Sequence, residues 1–123
     1  MRFQEVIGHE GIAAKLRAGV TSGRVAHAQL FNGPEGSGAL ALALAYARYL
    51  HCTGRGEEDA CGSCSSCKQY DSLQHPDVHW SFPFFKKDGS EQATSHPFQG
   101  AWRERMLQDA YFGQEEWLNA IGA

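Results

Sequence analysis

Residues 28–50 read Ala28-Gln29-Leu30-Phe31-Asn32-Gly33-Pro34-Glu35-Gly36-Ser37-Gly38-Ala39-Leu40-Ala41-Leu42-Ala43-Leu44-Ala45-Tyr46-Ala47-Arg48-Tyr49-Leu50. The stretch falls into three pieces. Ala28–Phe31 reads as a short strand. Asn32–Gly38 is a turn dense in glycine. From Ala39 to Leu50 the helix propensity is high and there is almost no polar face. Such a helix has to be covered on most sides, as when it packs on a parallel sheet. Strand, glycine turn and buried helix, in that order, open an α/β nucleotide-binding fold. The expected class is therefore α/β, with helices on a parallel sheet.

The glycine turn sets a chemical expectation. A working phosphate loop reads G-x-x-x-x-G-K-[ST]: its backbone N–H groups wrap the phosphates, its lysine reaches the β and γ oxygens, and its hydroxyl holds magnesium. Here the frame is Gly33-Pro34-Glu35-Gly36-Ser37-Gly38-Ala39-Leu40. The frame glycines Gly33 and Gly38 are present, with Gly36 between them. Ala39 stands at the lysine position, Leu40 at the hydroxyl position, and Glu35 adds a negative charge. The shape of such a loop survives these changes; ATP hydrolysis does not, and no ATP is expected as a cofactor. The plain alternative is a glycine turn with no nucleotide ancestry, which its place between strand and helix disfavours.

On the N-terminal side, residues 9–22 read as an amphipathic helix with Ile12, Leu16 and Val20 on one face and Gly23 as its stop. On the C-terminal side, Cys67–Leu73 reads as a short helix and His75-Pro76-Asp77 as a turn. Val78–Phe82 reads as a second strand. Residues 84–97, with Lys86, Lys87, Asp88, Gly89, Ser90 and Glu91, show no periodicity and read as a surface loop. Phe98, Trp102 and Met106 mark a last long helix, and Gly113 separates it from a segment anchored by Trp117 and Leu118.

All four cysteines lie between the buried helix and the second strand. Cys61-Gly62-Ser63-Cys64-Ser65-Ser66-Cys67 is C-x-x-C-x-x-C, with Cys52 a short loop upstream. A C-x-x-C turn presents two thiolates to one point, a third cysteine one helical turn later joins them, and Cys52 supplies the fourth. This spacing points to structural zinc held by Cys52, Cys61, Cys64 and Cys67. Disulfides, a redox pair and an iron–sulfur cluster are the alternatives. Gly62 suits a tight turn needing positive φ. His51 and His75 lie nearby in sequence and read as hydrogen-bonded structural residues rather than further ligands. A closed four-thiolate site leaves no open position for catalysis.

The 123 residues suit one domain, and a net charge of −3 gives no basic excess for gripping nucleic acid. The start, Met1-Arg2-Phe3-Gln4-Glu5, lacks a secretory apolar region, and the apolar run 39–50 is too short to span a membrane. A cytoplasmic location is the default expectation, with no membrane partner. In that reducing setting clustered cysteines read as metal ligands first.

Several of these motifs together resemble the clamp-loader AAA+ family, and within it the delta-prime subunits of bacterial DNA polymerase III. Val6-Ile7-Gly8-His9-Glu10 is similar to the box that opens the module, with His9 where glutamine is common. Arg24-Val25-Ala26-His27-Ala28-Gln29-Leu30-Phe31 is similar to the segment before its phosphate loop. The cysteine knuckle after the loop helix and His75-Pro76-Asp77 before a strand match as well. The resemblance spans residues 3 to about 82 and is loose from Phe84 onward.

The resemblance implies the N-terminal part of an AAA+ domain over 1–123, with a zinc-binding insertion at 52–67. No Walker B segment, lid or collar is recognisable, so a fragment of a longer protein is expected. It further implies a non-catalytic subunit of the clamp loader that helps load the sliding clamp in DNA replication. Its partners would be the tau/gamma and delta subunits, with the clamp and primer–template DNA contacted indirectly. The arginine that such subunits offer to a neighbour's ATP site belongs to a later motif, so Arg48, Arg103 and Arg105 do not take that role. One alternative is an active P-loop ATPase, which needs another lysine near the phosphates; none lies between Lys15 and Lys68. The other is a zinc-ribbon nucleic-acid binder, which Glu57, Glu58 and Asp59 ahead of Cys61 disfavour.

Overall fold

A computed structural model describes residues 1–86 and 93–122. Five α-helices account for the regular structure: α1 Glu10–Thr21, α2 Ala39–His51, α3 Ser65–Asp71, α4 Gln99–Gln108 and α5 Gln114–Ala120. Two 3-10 turns, Phe3–Glu5 and His96–Phe98, precede α1 and α4.

Helix α2 is the centre of the molecule, as its apolar sequence requires. Along one side Leu42, Ala45, Tyr46 and Tyr49 pack with Phe3, Ala13 and Val20. Along the other, Ala41 and Leu44 join Phe82, Phe98, Trp102, Met106 and Trp117. The second cluster is dominated by aromatic rings: Trp102 meets Phe82 stacked at 4.8 Å, and Trp117 edge-on at 5.0 Å. Trp117 is 1% exposed, and its indole N–H donates to the Pro83 carbonyl at 2.7 Å. Burying one large apolar side chain is worth about 1.5–3 kcal/mol, so the aromatic cluster is a major source of cohesion for the C-terminal third.

The expected parallel sheet is not there: among the described residues there is no strand. The α/β class, and with it the sheet of a partial AAA+ domain, is corrected to an all-helical arrangement with extended connections. The reason is pairing. A strand exists through the ladder to its neighbour, and among the described residues neither Ala28–Phe31 nor Val78–Phe82 forms one; the Val78 N–H only closes a local turn on the His75 carbonyl at 3.2 Å. Leu30 is left 90% exposed. The other half of the inference holds: α2 is covered on most sides, by helices and an aromatic cluster in place of a sheet.

Helix α1 lies where periodicity puts it, but rotated. Ala13 and Val20 are its buried residues and Leu16 packs partly against the core, while Ile12 is 51% exposed. Small Ala13 lets α1 approach α2, and the inward stripe becomes 13, 16 and 20. The short helix expected over 67–73 begins two residues earlier, at Ser65, because the Cys64 sulfur accepts the Cys67 N–H and caps it. Phe98, Trp102 and Met106 are buried as expected. Of the loop expected over 84–97, residues 87–92 lie outside the described residues. Its first two residues are half-buried against the core, with the Phe84 and Phe85 rings 6.1 and 5.1 Å from Phe98.

Candidate functional site

The two motifs singled out in the sequence occupy opposite ends of α2. Gly38 is its N-cap and Cys52 its C-cap. Thirteen residues of helix separate them, about 20 Å along the axis.

At the C-terminal end the four cysteines come together. Their Sγ atoms all lie within 4.8 Å of one another. Cys52 Sγ is 3.4 Å from Cys61 Sγ and 3.9 Å from Cys64 Sγ. Four thiolates around a metal with bonds of roughly 2.3 Å sit about 3.8 Å apart, so this spread fits one ion. A cluster with a separate iron behind each thiolate needs the sulfurs further apart. All four cysteines are free thiols, not disulfides.

The backbone prepares these sulfurs to carry charge. Cys61 N–H donates to Cys52 Sγ at 3.3 Å, Cys64 N–H to Cys61 Sγ at 3.3 Å and Cys67 N–H to Cys64 Sγ at 3.4 Å. The bond from Cys67 N–H leads the effects that pull the Cys64 thiol down to about 5. Backbone donors from Ser63 and Cys64 lower the Cys61 thiol. Burial pushes Cys52 up to about 11. A cation at the centre offsets that burial, which is the fit a metal requires. Gly62 takes φ +76°, the conformation its turn was expected to need, and a Cβ there would fall 3.0 Å from an Arg2 guanidinium nitrogen.

Residues that the sequence reading passed over hold the knuckle in place. Arg48, 3% exposed, donates from Nη2 to the Cys67 carbonyl at 2.7 Å and pairs with Asp71, tying α2 to α3. Asp59 accepts the Phe3 and Gln4 N–H groups at 3.0 Å each, clamping the knuckle onto the N-terminal turn. Tyr49 donates its hydroxyl proton to the Gly56 carbonyl at 2.7 Å. A lone arginine inside an otherwise apolar helix is the sequence signal for Arg48. His51 hydrogen-bonds the Tyr70 hydroxyl through Nδ1 at 2.6 Å and stacks on His75 at 4.5 Å.

At the N-terminal end, Gly33–Gly38 forms a turn that leads into α2 at Ala39. Gly36 and Gly38 take φ +77° and +95°. A Cβ at Gly33 would fall 2.5 Å from the Ser37 hydroxyl oxygen. Ala39 and Leu40 occupy the first turn of α2 with no charge and no hydroxyl. His9 Nε2 lies 2.5 Å from the Ser37 carbonyl oxygen, so the box at 6–10 touches the loop.

The class these features define is a helical chain whose four-cysteine knuckle is positioned to hold one metal ion. The chain belongs to the family described as DNA polymerase III, delta subunit, whose model matches residues 8–110. It is 42% identical over 65 residues to DNA polymerase III subunit gamma/tau of Mycobacterium tuberculosis, covering 53% of this chain and 11% of that one. It is 45% identical over 56 residues to DNA polymerase III subunit delta' of Bacillus subtilis, covering 46% and 17%. Protein STICHEL of Arabidopsis thaliana matches at 30% over 92 residues, 75% of this chain and 8% of that protein. The chain thus spans less than a fifth of the length of each of these relatives. No solved structure matches. No described helix is long and apolar enough to cross a membrane.

Proposed function

We propose that this chain acts in a clamp loader of DNA polymerase III as a delta-prime-type subunit, one that braces the assembly and does not hydrolyse ATP. The observation that carries the reading is the loop at 33–38. It has the frame glycines Gly33 and Gly38 and leads into a long helix, yet offers Ala39 and Leu40 where phosphate and magnesium need an ammonium and a hydroxyl. The knuckle is then a structural zinc site on Cys52, Cys61, Cys64 and Cys67, shaping a surface rather than performing a reaction. Its partners are the tau/gamma and delta subunits, and the setting is the cytoplasm.

Calorimetric titration of the chain with Mg-ATP tests the reading; no binding in the micromolar range is expected. Saturable micromolar binding overturns it and favours the second reading, an ATP-binding subunit, which the 42% identity to a gamma/tau relative supports. Gel filtration with purified tau/gamma and delta subunits checks the assembly, a stable co-eluting complex being the expected outcome.

A further inference from the structure

The connection between α4 and α5, residues 109–113, lies against the glycine loop and is itself firmly built. Arg105 donates to Asp109 Oδ2 at 3.3 Å and to Glu116 Oε2 at 3.0 Å, bracketing the connection from both ends. Its guanidinium carbon sits 4.5 Å from the Phe112 ring centroid. Asp109 Oδ1 accepts the Tyr111 N–H at 2.8 Å and so fixes where Tyr111 points.

Tyr111 points at the loop. A Cβ at Gly38 would fall 3.0 Å from a Tyr111 ring carbon, so the ring lies directly on that glycine. The Tyr111 hydroxyl accepts the Ile7 N–H at 2.9 Å, joining the box at 6–10 to the same contact. Two residues later Gly113 receives Glu35: a Cβ at Gly113 would fall 2.3 Å from Glu35 Oε1. The connection therefore meets the loop at its middle, where the Glu35 carboxylate lies against Gly113, and packs on its end through Tyr111 on Gly38.

We propose that the 109–113 connection is a clasp that holds the glycine loop in shape from within the chain, where other loops of this kind are ordered by bound phosphate. Glycine-rich backbone loses more conformational freedom on ordering than any other, so a loop without a nucleotide needs a different source of order. Tyr111 and Gly113 are its positioning residues. The inference rests on reading 33–38 as a phosphate loop that holds no nucleotide, and the two claims fail separately.

Hydrogen–deuterium exchange of the chain tests the clasp. Two amides report on the loop: Ser37 N–H, bonded to Pro34 O at 3.1 Å, and Leu42 N–H, bonded to Gly38 O at 2.9 Å. Gly113→Ala is a mild probe. Gly113 has φ −95° and ψ 174°, which alanine adopts without strain, and the new methyl displaces only the end of the Glu35 side chain. Peptides covering 33–42 should exchange about tenfold faster in this variant, and faster still in Tyr111→Ala. Tyr111→Phe, which keeps the ring, should retain most of the protection. A peptide covering 64–70, protected by Lys68 N–H on Cys64 O at 3.0 Å, should not change in Gly113→Ala. Unchanged exchange at 33–42 in Gly113→Ala, or a rise no larger than at 64–70, overturns the clasp and leaves the proposed role standing. Mg-ATP binding by the unaltered chain overturns the proposed role without touching the exchange result.

Discussion

Each cysteine has a different job in the knuckle. Cys64 receives a backbone donor and caps α3, Cys52 is buried at the end of α2, and each brings one lone pair to a common centre. Replacing Cys64 by serine should therefore release a bound metal and loosen the knuckle while leaving α1 and α2 in place. Elemental analysis should give about one zinc per chain for the parent and clearly less for Cys64→Ser; iron with visible absorbance in the parent overturns the assignment. The metal-free, reduced chain carries a second signature. Cys64 titrates near 5 when folded, below an ordinary thiol at 9.0, so its contribution to stability is full above 9 and lost as pH falls through 5. Cys52 titrates near 11, so its contribution is full below 9 and lost as pH rises through 11. Between those windows the two thiols together contribute most, so the stability that the metal-free parent gains over Cys64→Ser should fall as pH drops toward 5, which urea unfolding across pH 5–9 checks.

The contact between α2 and α3 holds one buried charge, Arg48, beside the His51–Tyr70 hydrogen bond. Arg48 pairs with Asp71, which is 59% exposed and can be hydrated once its partner is gone. The larger loss on Arg48→Met is the Cys67 carbonyl, left without its donor in the four-cysteine knuckle. A buried acceptor without a partner costs about 1–3 kcal/mol, more than the ~0.2–1 kcal/mol typical of a surface pair such as Arg105–Asp109. Arg48→Met should thus lower the unfolding free energy by about 1–3 kcal/mol in urea titration. It should also speed zinc transfer to a chelator, whereas Asp109→Asn should change zinc transfer little. The helices were legible where long apolar runs and ring spacing survive whatever packs on them: α2 and the Trp102–Met106 turn of α4 stand where these put them, and Trp117 is an anchor as expected, on a helix that was not expected. The buried face of α1 was not legible, since which of two adjacent stripes turns inward is set by the partner helix.

Across the whole chain, the face beside the glycine loop is unlike the rest. Ile12, Leu16, Leu30 and Leu42 line an apolar groove of about 220 Å³ next to the extended run 24–33. Ile7 and Leu30 are 75% and 90% exposed. Open apolar surface beside unpaired backbone favours association. Light scattering at micromolar concentration should find the chain larger than a monomer, and Leu30→Lys should shift it toward one. A stable, cooperatively unfolding monomer would show that 24–33 finds its partners inside the chain.

Spacing by itself determined that the four cysteines converge: C-x-x-C-x-x-C with Cys52 upstream admits few arrangements, because so short a turn leaves sulfur little choice of direction. Composition also determined that α2 is central, since a helix without a polar face has nowhere else to go, and that the glycine loop lacks the groups that grip phosphate. Only the tertiary structure decided that Ala28–Phe31 and Val78–Phe82 form no ladder among the described residues, because a strand is a property of two segments and a sequence window contains one. Only it showed Arg48, Asp59 and the Tyr111–Gly113 connection at work, since each acts across a long sequence separation on backbone atoms, which carry no residue signature.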